Sequence, residues 1–196
     1  MWQMIKQIVR AGVASEPLPA CDNANREGTG RIQDDVLAIL GRALTIREVD
    51  AGSCNGCDLE IHALNNPYYN IEGAGIKFVA SPRHADMLLV TGPVSKHMEV
   101  ALRRTYEATP EPRLVVAVGD CGCSGGLFGE SYASCGRVAN VLPVDVAVPG
   151  CPPPPIDILR GILTAVRKCR QGTGQAGESQ WHPDAPPRPA PRTTTP

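Results

Sequence analysis

Four cysteines in this chain stand just past the ends of three separate strand-like runs. Cys54 and Cys57 lie in the loop Asp50-Ala51-Gly52-Ser53-Cys54-Asn55-Gly56-Cys57, after the run that ends at Val49. Cys121 follows Leu114–Val118 in Gly119-Asp120-Cys121, and Cys151 follows Val144–Val148 in Pro149-Gly150-Cys151-Pro152. In an open parallel α/β sheet, the loops at the carboxyl ends of the strands gather along one edge, where ligands bind. Cysteines distant in sequence would meet there, and four converging thiolates can hold a metal centre.

Taken alone, the Cys54–Cys57 pair admits a redox disulfide, a zinc knuckle or two cluster ligands. A thiol–disulfide site would need only this pair and would leave Cys121 and Cys151 idle. Zinc sites usually combine two CxxC-like knuckles, and a second one is missing because Cys121 and Cys151 stand apart on different loops. A four-iron cluster is larger, takes thiolate ligands and bridges separate loops more readily. Gly52, Gly56, Gly119, Gly122, Gly125, Gly126 and Gly150 crowd the same loops. Glycine lets backbone N–H groups approach sulfur, and such hydrogen bonds raise a cluster's potential. Two of the loops lead into helices, whose amino ends favour an anionic group. Flavin or phosphate binding competes for glycine loops after strands. However, no Gly-x-x-x-x-Gly-Lys occurs and no Gly-x-Gly-x-x-Gly follows a strand candidate. The residues favour a cluster and leave the zinc and redox readings open.

The elements that must position these loops alternate along the chain. Strand candidates are Thr45–Val49, Ile76–Ala80, Met87–Thr91, Leu114–Val118 and Val144–Val148, several of them continuous apolar runs suited to parallel strands covered on both faces. Helix candidates are Asp58–Leu64, Lys96–Thr105 and Ile156–Cys169, the last with Ile156, Leu159, Leu163 and Val166 on one face. This alternation predicts a doubly wound α/β domain over residues 44–170. Residues 1–43 read as an extension. It has Trp2, Ile5, Val9 and Val13 at helical spacing, an irregular stretch from Glu16 to Arg31 and a short helical pattern from Asp34 to Leu44. The first of these is either an amphipathic anchor or a surface helix packed on its own domain. Residues 171–196, dominated by Gly, Gln, Pro, Arg and Thr, are expected to be a disordered tail.

A net charge of −1 gives no sign of a nucleic-acid partner. Lys6 and Arg10 interrupt the first apolar stretch, so it does not read as a signal peptide, and no run approaches a membrane span. Eight cysteines in a chain expected in the reducing cytoplasm point to metal or redox chemistry more than to disulfides.

Once the loops are set in order, the stretch from Cys54 to about Val166 resembles the small iron–sulfur subunit shared by respiratory complex I and [NiFe] hydrogenases. The matching segments are Cys54-Asn55-Gly56-Cys57-Asp58-Leu59-Glu60-Ile61, Ser81-Pro82-Arg83-His84-Ala85-Asp86 and Ala101-Leu102-Arg103-Arg104-Thr105-Tyr106, then Gly119-Asp120-Cys121 with Ser124-Gly125-Gly126, and Pro143-Val144-Asp145-Val146 through Pro149-Gly150-Cys151-Pro152-Pro153. The resemblance implies a flavodoxin-like fold carrying one [4Fe–4S] cluster, with Cys54, Cys57, Cys121 and Cys151 as ligands.

Two departures separate the branches of that family. Complex I subunits carry adjacent cysteines in the first motif, whereas Asn55-Gly56 separates them here, as in membrane-bound energy-converting hydrogenases and formate hydrogenlyase. In the final proline loop, Pro154 replaces a basic residue and Ile156 stands where an acidic one is common. The hydrogenase branch implies an electron-transfer subunit on the inner face of the cell membrane. Its partners would be a ferredoxin-like subunit, a large [NiFe]-hydrogenase-like subunit and membrane-arm subunits. The alternative is a complex I-type (NADH-quinone oxidoreductase) assembly delivering electrons to quinone, and a zinc-binding scaffold is the alternative outside redox chemistry. No acid–base or nucleophilic triad is visible, so bond chemistry is expected from the assembly, not from this chain.

Of the other cysteines, Cys21, Cys123, Cys135 and Cys169 lack compact ligand spacing and read as ordinary thiols. Cys123, on the same loop as Cys121, is expected to alternate with it and point elsewhere. Glu60, one helical turn past Cys57, either tunes the site or is solvated, and Arg83 either offsets cluster charge or meets a partner.

Overall fold

The computed structural model describes residues 41–172 continuously, with Trp2, Gln3, Lys6, Arg10 and Ala38 as isolated positions before them. Five strands form one sheet: β1 (Leu44–Asp50), β2 (Ile76–Phe78), β3 (Met87–Thr91), β4 (Leu114–Val118) and β5 (Val146–Val148). They lie in the order β2-β1-β3-β4-β5 and every pairing is parallel, which is the flavodoxin-like arrangement. Around the sheet run α1 (Gly56–Ala63), α2 (Lys96–Ala108), α3 (Gly119–Ser124) and α4 (Pro155–Gly172).

The central strands are apolar throughout because both of their faces are covered. Along β3, Met87 and Leu89 join one core while Leu88 and Val90 join the other. On β4, Leu114, Val116 and Val118 alternate with Val115 and Ala117 in the same way. The first core is closed by Ile61 of α1, by Leu64 just past that helix, and by Ile158, Leu159, Ile162 and Val166 of α4. Leu102 of α2, with Val138, Val141 and Leu142, closes the second. Helix α2 begins at Ser95, whose hydroxyl accepts from the Met98 N–H at 3.3 Å, and α4 begins with Pro155 in its first turn, where a missing N–H costs nothing.

β3 and β4 match their expected bounds, whereas the edges differ. Leu44 opens β1 and does not end a helix, since its N–H bonds the Gly75 carbonyl. β2 and β5 are edge strands of three residues, closed by the Ser81-Pro82 turn on one side and entered after Pro143 on the other. The segment after β4 is the larger difference: Gly119–Ser124 is a helix, not an extended loop. Its composition hides it, but the Gly125 N–H closes it onto the Cys121 carbonyl at 2.9 Å, with Gly125 in the left-handed conformation that ends a helix.

Trp2, Gln3, Lys6 and Arg10 are helical and exposed, with the Lys6 ammonium 5.5 Å from the Trp2 ring. Ile5, Val9, Val13, the stretch from Glu16 to Arg31 with Cys21, and the tail from 173 onward lie outside the described residues. Among the described residues, no helix is long and apolar enough to cross a membrane.

Candidate metal centre

Strand register brings the cysteine loops to one edge. Asp50 pairs with Thr91, Thr91 with Val118 and Val118 with Val148, so four strands finish on one line. The loops from β1, β4 and β5 leave that line together and touch. A Cβ placed on Gly119 would lie 2.5 Å from Cys57 Sγ and 3.5 Å from the Gly150 carbonyl oxygen. One on Gly56 would meet Cys54 Sγ at 3.6 Å and Pro152 at 3.9 Å, and one on Gly126 would meet Cys121 Sγ at 2.8 Å. The glycines are thus the space into which the sulfur atoms project, a constraint that outweighs their helix and turn preferences.

The four thiols also act on one another electrostatically. Burial, then the negative neighbours Asp58, Cys54, Cys121 and Cys151, push the Cys57 thiol up to about 11. Burial, then Cys151, Cys54 and Asp120, raises that of Cys121. A set of thiolates this close is unfavourable without cations among them, and bound metal reverses the balance. Among the described residues, no three His, Cys, Asp or Glu side chains are grouped closely enough to hold a metal ion. A donor set of four thiols from three loops, around space kept open by glycine, fits a cluster with several metal atoms. Cys54 and Cys151 are exposed, whereas Cys57 and Cys121 are half-buried.

The CxxC loop is held from behind by a carboxylate whose role the motif alone does not reveal. Asp58, buried in the first turn of α1, accepts from Thr91 Oγ1 at the end of β3 at 2.7 Å and from the Ser53 hydroxyl. Ser53 Oγ in turn accepts from the Asn55 N–H at 2.9 Å, between the two cysteines. Asp50 Oδ1 accepts from the N–H groups of Gly52 and Ser53 at 2.8 and 2.6 Å, fixing the start of the loop. Burial opposes the charge on Asp58, but hydrogen bonds from Ser53, Thr91 and Glu48 outweigh it and hold its pKa below the ordinary value. Aspartate in a first helical turn, with serine before it, is a capping signal in the sequence; its reach to Thr91 is not.

Glu48 is the acid partner of Asp58. Burial, then its hydrogen bond to Asp58 and that residue's charge, push Glu48 up to about 7 from 4.5. It lines a cleft of about 260 Å³ between α1 and the β1–β2 edge, with Arg47, Ile61, His62, Phe78 and Val79. Between pH 4.5 and 7 the folded chain keeps a proton on Glu48 that the unfolded chain has released. Stability therefore falls as pH rises through that window. Glu48→Gln is expected to flatten this slope in thermal unfolding followed from pH 5 to 7.5, and an unchanged slope would assign the effect elsewhere.

The remaining cysteines sit apart. Cys123 packs on the core of the opposite sheet face, its Sγ donating to the Ala117 carbonyl at 3.6 Å. It does point away from the Cys121 site, but because both residues are on a helical turn, not an extended loop. Cys135 is buried and donates to Glu99 Oε2 at 3.3 Å, and Cys169 packs on the first core from α4. Glu60 is half-exposed on α1 and makes no ion pair or hydrogen bond with the described residues. Arg83 is exposed in the 3₁₀ turn Pro82–His84, where the His84 carbonyl accepts from Thr45 Oγ1 at 2.6 Å. Thr45 lies at the start of β1, so this turn stands roughly 17 Å along the strand from the cysteine edge. Arg83 is thereby removed from the candidate centre. Apolar side chains are exposed along the ligand loops: Leu59 after Cys57, Phe128 and the 96 % exposed Leu127 after Gly126, and Ile156 after the Cys151 loop.

Known proteins share this framework. The model of the NADH ubiquinone oxidoreductase 20 kDa subunit family matches residues 54–165, a span containing all four cysteines. A probable membrane-bound hydrogenase subunit of Pyrococcus furiosus is 43 % identical over 147 residues, covering 75 % of this chain and 88 % of its own. An NADH-quinone oxidoreductase subunit of Desulfovibrio desulfuricans is 45 % identical over 139 residues, covering 69 % and 74 %. Among solved structures, a chain of the archaeal membrane-bound sulfane sulfur reductase, a respiratory membrane complex, superposes with a TM-score of 0.56 at 30 % identity, over 69 % of this chain and 73 % of that one. With the family model matching more than half of its length, the chain belongs to the NADH ubiquinone oxidoreductase 20 kDa subunit family.

Proposed function

We propose that this chain is the electron-transfer subunit of a membrane-associated [NiFe]-hydrogenase-type oxidoreductase, with one [4Fe–4S] cluster on Cys54, Cys57, Cys121 and Cys151. The observation that carries this reading is the meeting of three glycine-lined cysteine loops at one sheet edge, in a chain of this family. When bound, such a cluster supplies one-electron transfer at a potential set by hydrogen bonds, burial and nearby charge.

The chain's own residues bind and orient. The four thiolates are the ligands, Gly119 and Gly126 leave room for sulfur, and Asp58 with Thr91 and Ser53 holds the first loop against the sheet. The half-buried Cys57 packs against the core, while Cys54 and Cys151 are exposed, as are Leu59, Leu127 and Phe128 in the segments that follow ligand cysteines. An exposed cluster with an apolar margin is suited to closure by a partner surface, which brings the electron's next station within reach and excludes water. The large [NiFe]-type subunit is the partner proposed here, with a ferredoxin-like subunit as donor and membrane-arm subunits attaching the assembly to the inner face of the cell membrane. The Asn55-Gly56 spacing and the likeness to a membrane-bound hydrogenase subunit support this branch. Quinone reduction in a complex I-type assembly is the second reading, favoured by the likeness to an NADH-quinone oxidoreductase subunit.

Anaerobic reconstitution of the full chain with iron and sulfide, followed by dithionite reduction and EPR, tests the centre. The expected result is about four irons per chain and an EPR signal that appears on reduction. One tightly bound zinc with no signal would sink the redox reading. Activity of the purified assembly with a low-potential donor separates the branches, since hydrogen evolution supports the first and quinone reduction without it the second.

A further inference from the structure

Each strand-end loop in this site meets a carboxylate, but among the described residues only Asp120 joins two ligand loops. β4 and β5 stop pairing at Val118 and Val148, where β4 turns into α3 and β5 opens into the proline loop. Past that point one backbone bond and one side-chain bond hold the two continuations together. The Asp120 N–H donates to the Gly150 carbonyl at 2.8 Å, and the Gly150 N–H donates back to Asp120 Oδ1 at 2.7 Å. Asp120 immediately precedes Cys121, and Gly150 immediately precedes Cys151.

We propose that Asp120 is a positioning residue whose reciprocal hydrogen bonds with Gly150 latch the two loops together and preset the spacing of Cys121 and Cys151 before the cluster is bound. The proposal rests on the cluster reading above. A carboxylate is electrostatically a poor neighbour for thiolates, and Asp120 adds to the charge that disfavours ionisation of Cys121. Its place is explained by geometry: it offers an acceptor one residue from the ligand, facing a backbone N–H on the neighbouring loop. Gly150 meets it from the other side. Its φ is +137° and a Cβ there would lie 2.6 Å from Pro153 Cα, so this loop has one tight path past the latch. Outer-sphere partners of metal ligands act in this way, orienting the ligand without touching the metal.

Charge and latch are separated by two substitutions. Asn keeps an acceptor for the Gly150 N–H and loses the charge, whereas Ala loses both. In full-length chains reconstituted anaerobically with iron and sulfide, Asp120→Asn and Asp120→Ala should raise the cluster potential by similar amounts. Only Asp120→Ala should broaden the EPR signal and shorten the cluster's lifetime against a chelator, by about tenfold or more. A spectrum and lifetime for Asp120→Ala equal to those of Asp120→Asn would overturn the latch. Hydrogen exchange supplies a measurement that needs no variant. In the wild-type apo chain the Gly150 amide should be protected, and exchange at an unprotected rate would overturn the proposal. If the wild-type chain took up no cluster while its Gly150 amide was protected, the metal reading would fail and the proposal with it, but the fault would lie in the metal reading and not in the loop geometry.

Discussion

Replacing Cys151 with serine is expected to abolish the cluster signal and cut bound iron by at least about tenfold, the scale on which even outer-sphere substitutions act. Cys151 is the sole cysteine of its loop, and among the described residues no other thiol is placed to stand in for it. Cys123 packs on the opposite sheet face, Cys135 is buried against Glu99, and Cys169 sits well along α4 in the first core. The same loss is expected for serine at Cys54, Cys57 or Cys121. Cys123→Ser and Cys135→Ser should keep full iron content. A serine hydroxyl can make the hydrogen bonds that these thiols make to the Ala117 carbonyl and to Glu99, so stability should change by only about 1 kcal/mol. Iron analysis and EPR on the six variants check the assignment. Loss of signal in Cys123→Ser with retention in Cys151→Ser would overturn it.

Gly119→Ala is expected to be the most damaging substitution of a residue that is not itself a ligand. Gly119 has a φ of +85°, and its Cβ would stand 2.5 Å from Cys57 Sγ, closer than any such contact can be. The left-handed backbone alone costs about 1–2 kcal/mol for alanine. The sulfur has little room to retreat, because Cys57 already packs against the core beneath α1. The methyl group therefore occupies the ligand atom's place, and the variant should lose both cluster and several degrees of thermal stability. Gly129→Ala is the control: its φ is +53° but nothing lies within 4 Å of the added methyl. It should show the backbone cost alone, with the cluster intact. Equal cluster content in the two variants would show that the space beside Cys57 is not needed.

The strand runs of β3 and β4, the spacing of Cys54 and Cys57 and the order of the cysteine motifs are local patterns, and they were legible because burial on both faces demands continuous apolar runs. α3 was not legible. Its six residues include two glycines and an aspartate, a turn-like composition, and it forms because Gly125 can close it and the sheet edge packs beneath it. Arg83 stands between the cysteine motifs in chain order, whereas the chain path puts its turn beside Thr45 at the other end of β1.

Which segments bury themselves, and which residue types stand at their carboxyl ends, follow from short-range periodicity and composition. Only the packed sheet brings the cysteine loops together. That outcome depends on the order β2-β1-β3-β4-β5 and on a register that ends four strands at Asp50, Thr91, Val118 and Val148. It depends also on hydrogen bonds from Thr91 to Asp58 and from Gly150 to Asp120, which join residues 33 and 30 positions apart. No local pattern specifies such pairs. They exist because a buried or half-buried polar group finds its partner wherever the packed sheet brings one within reach.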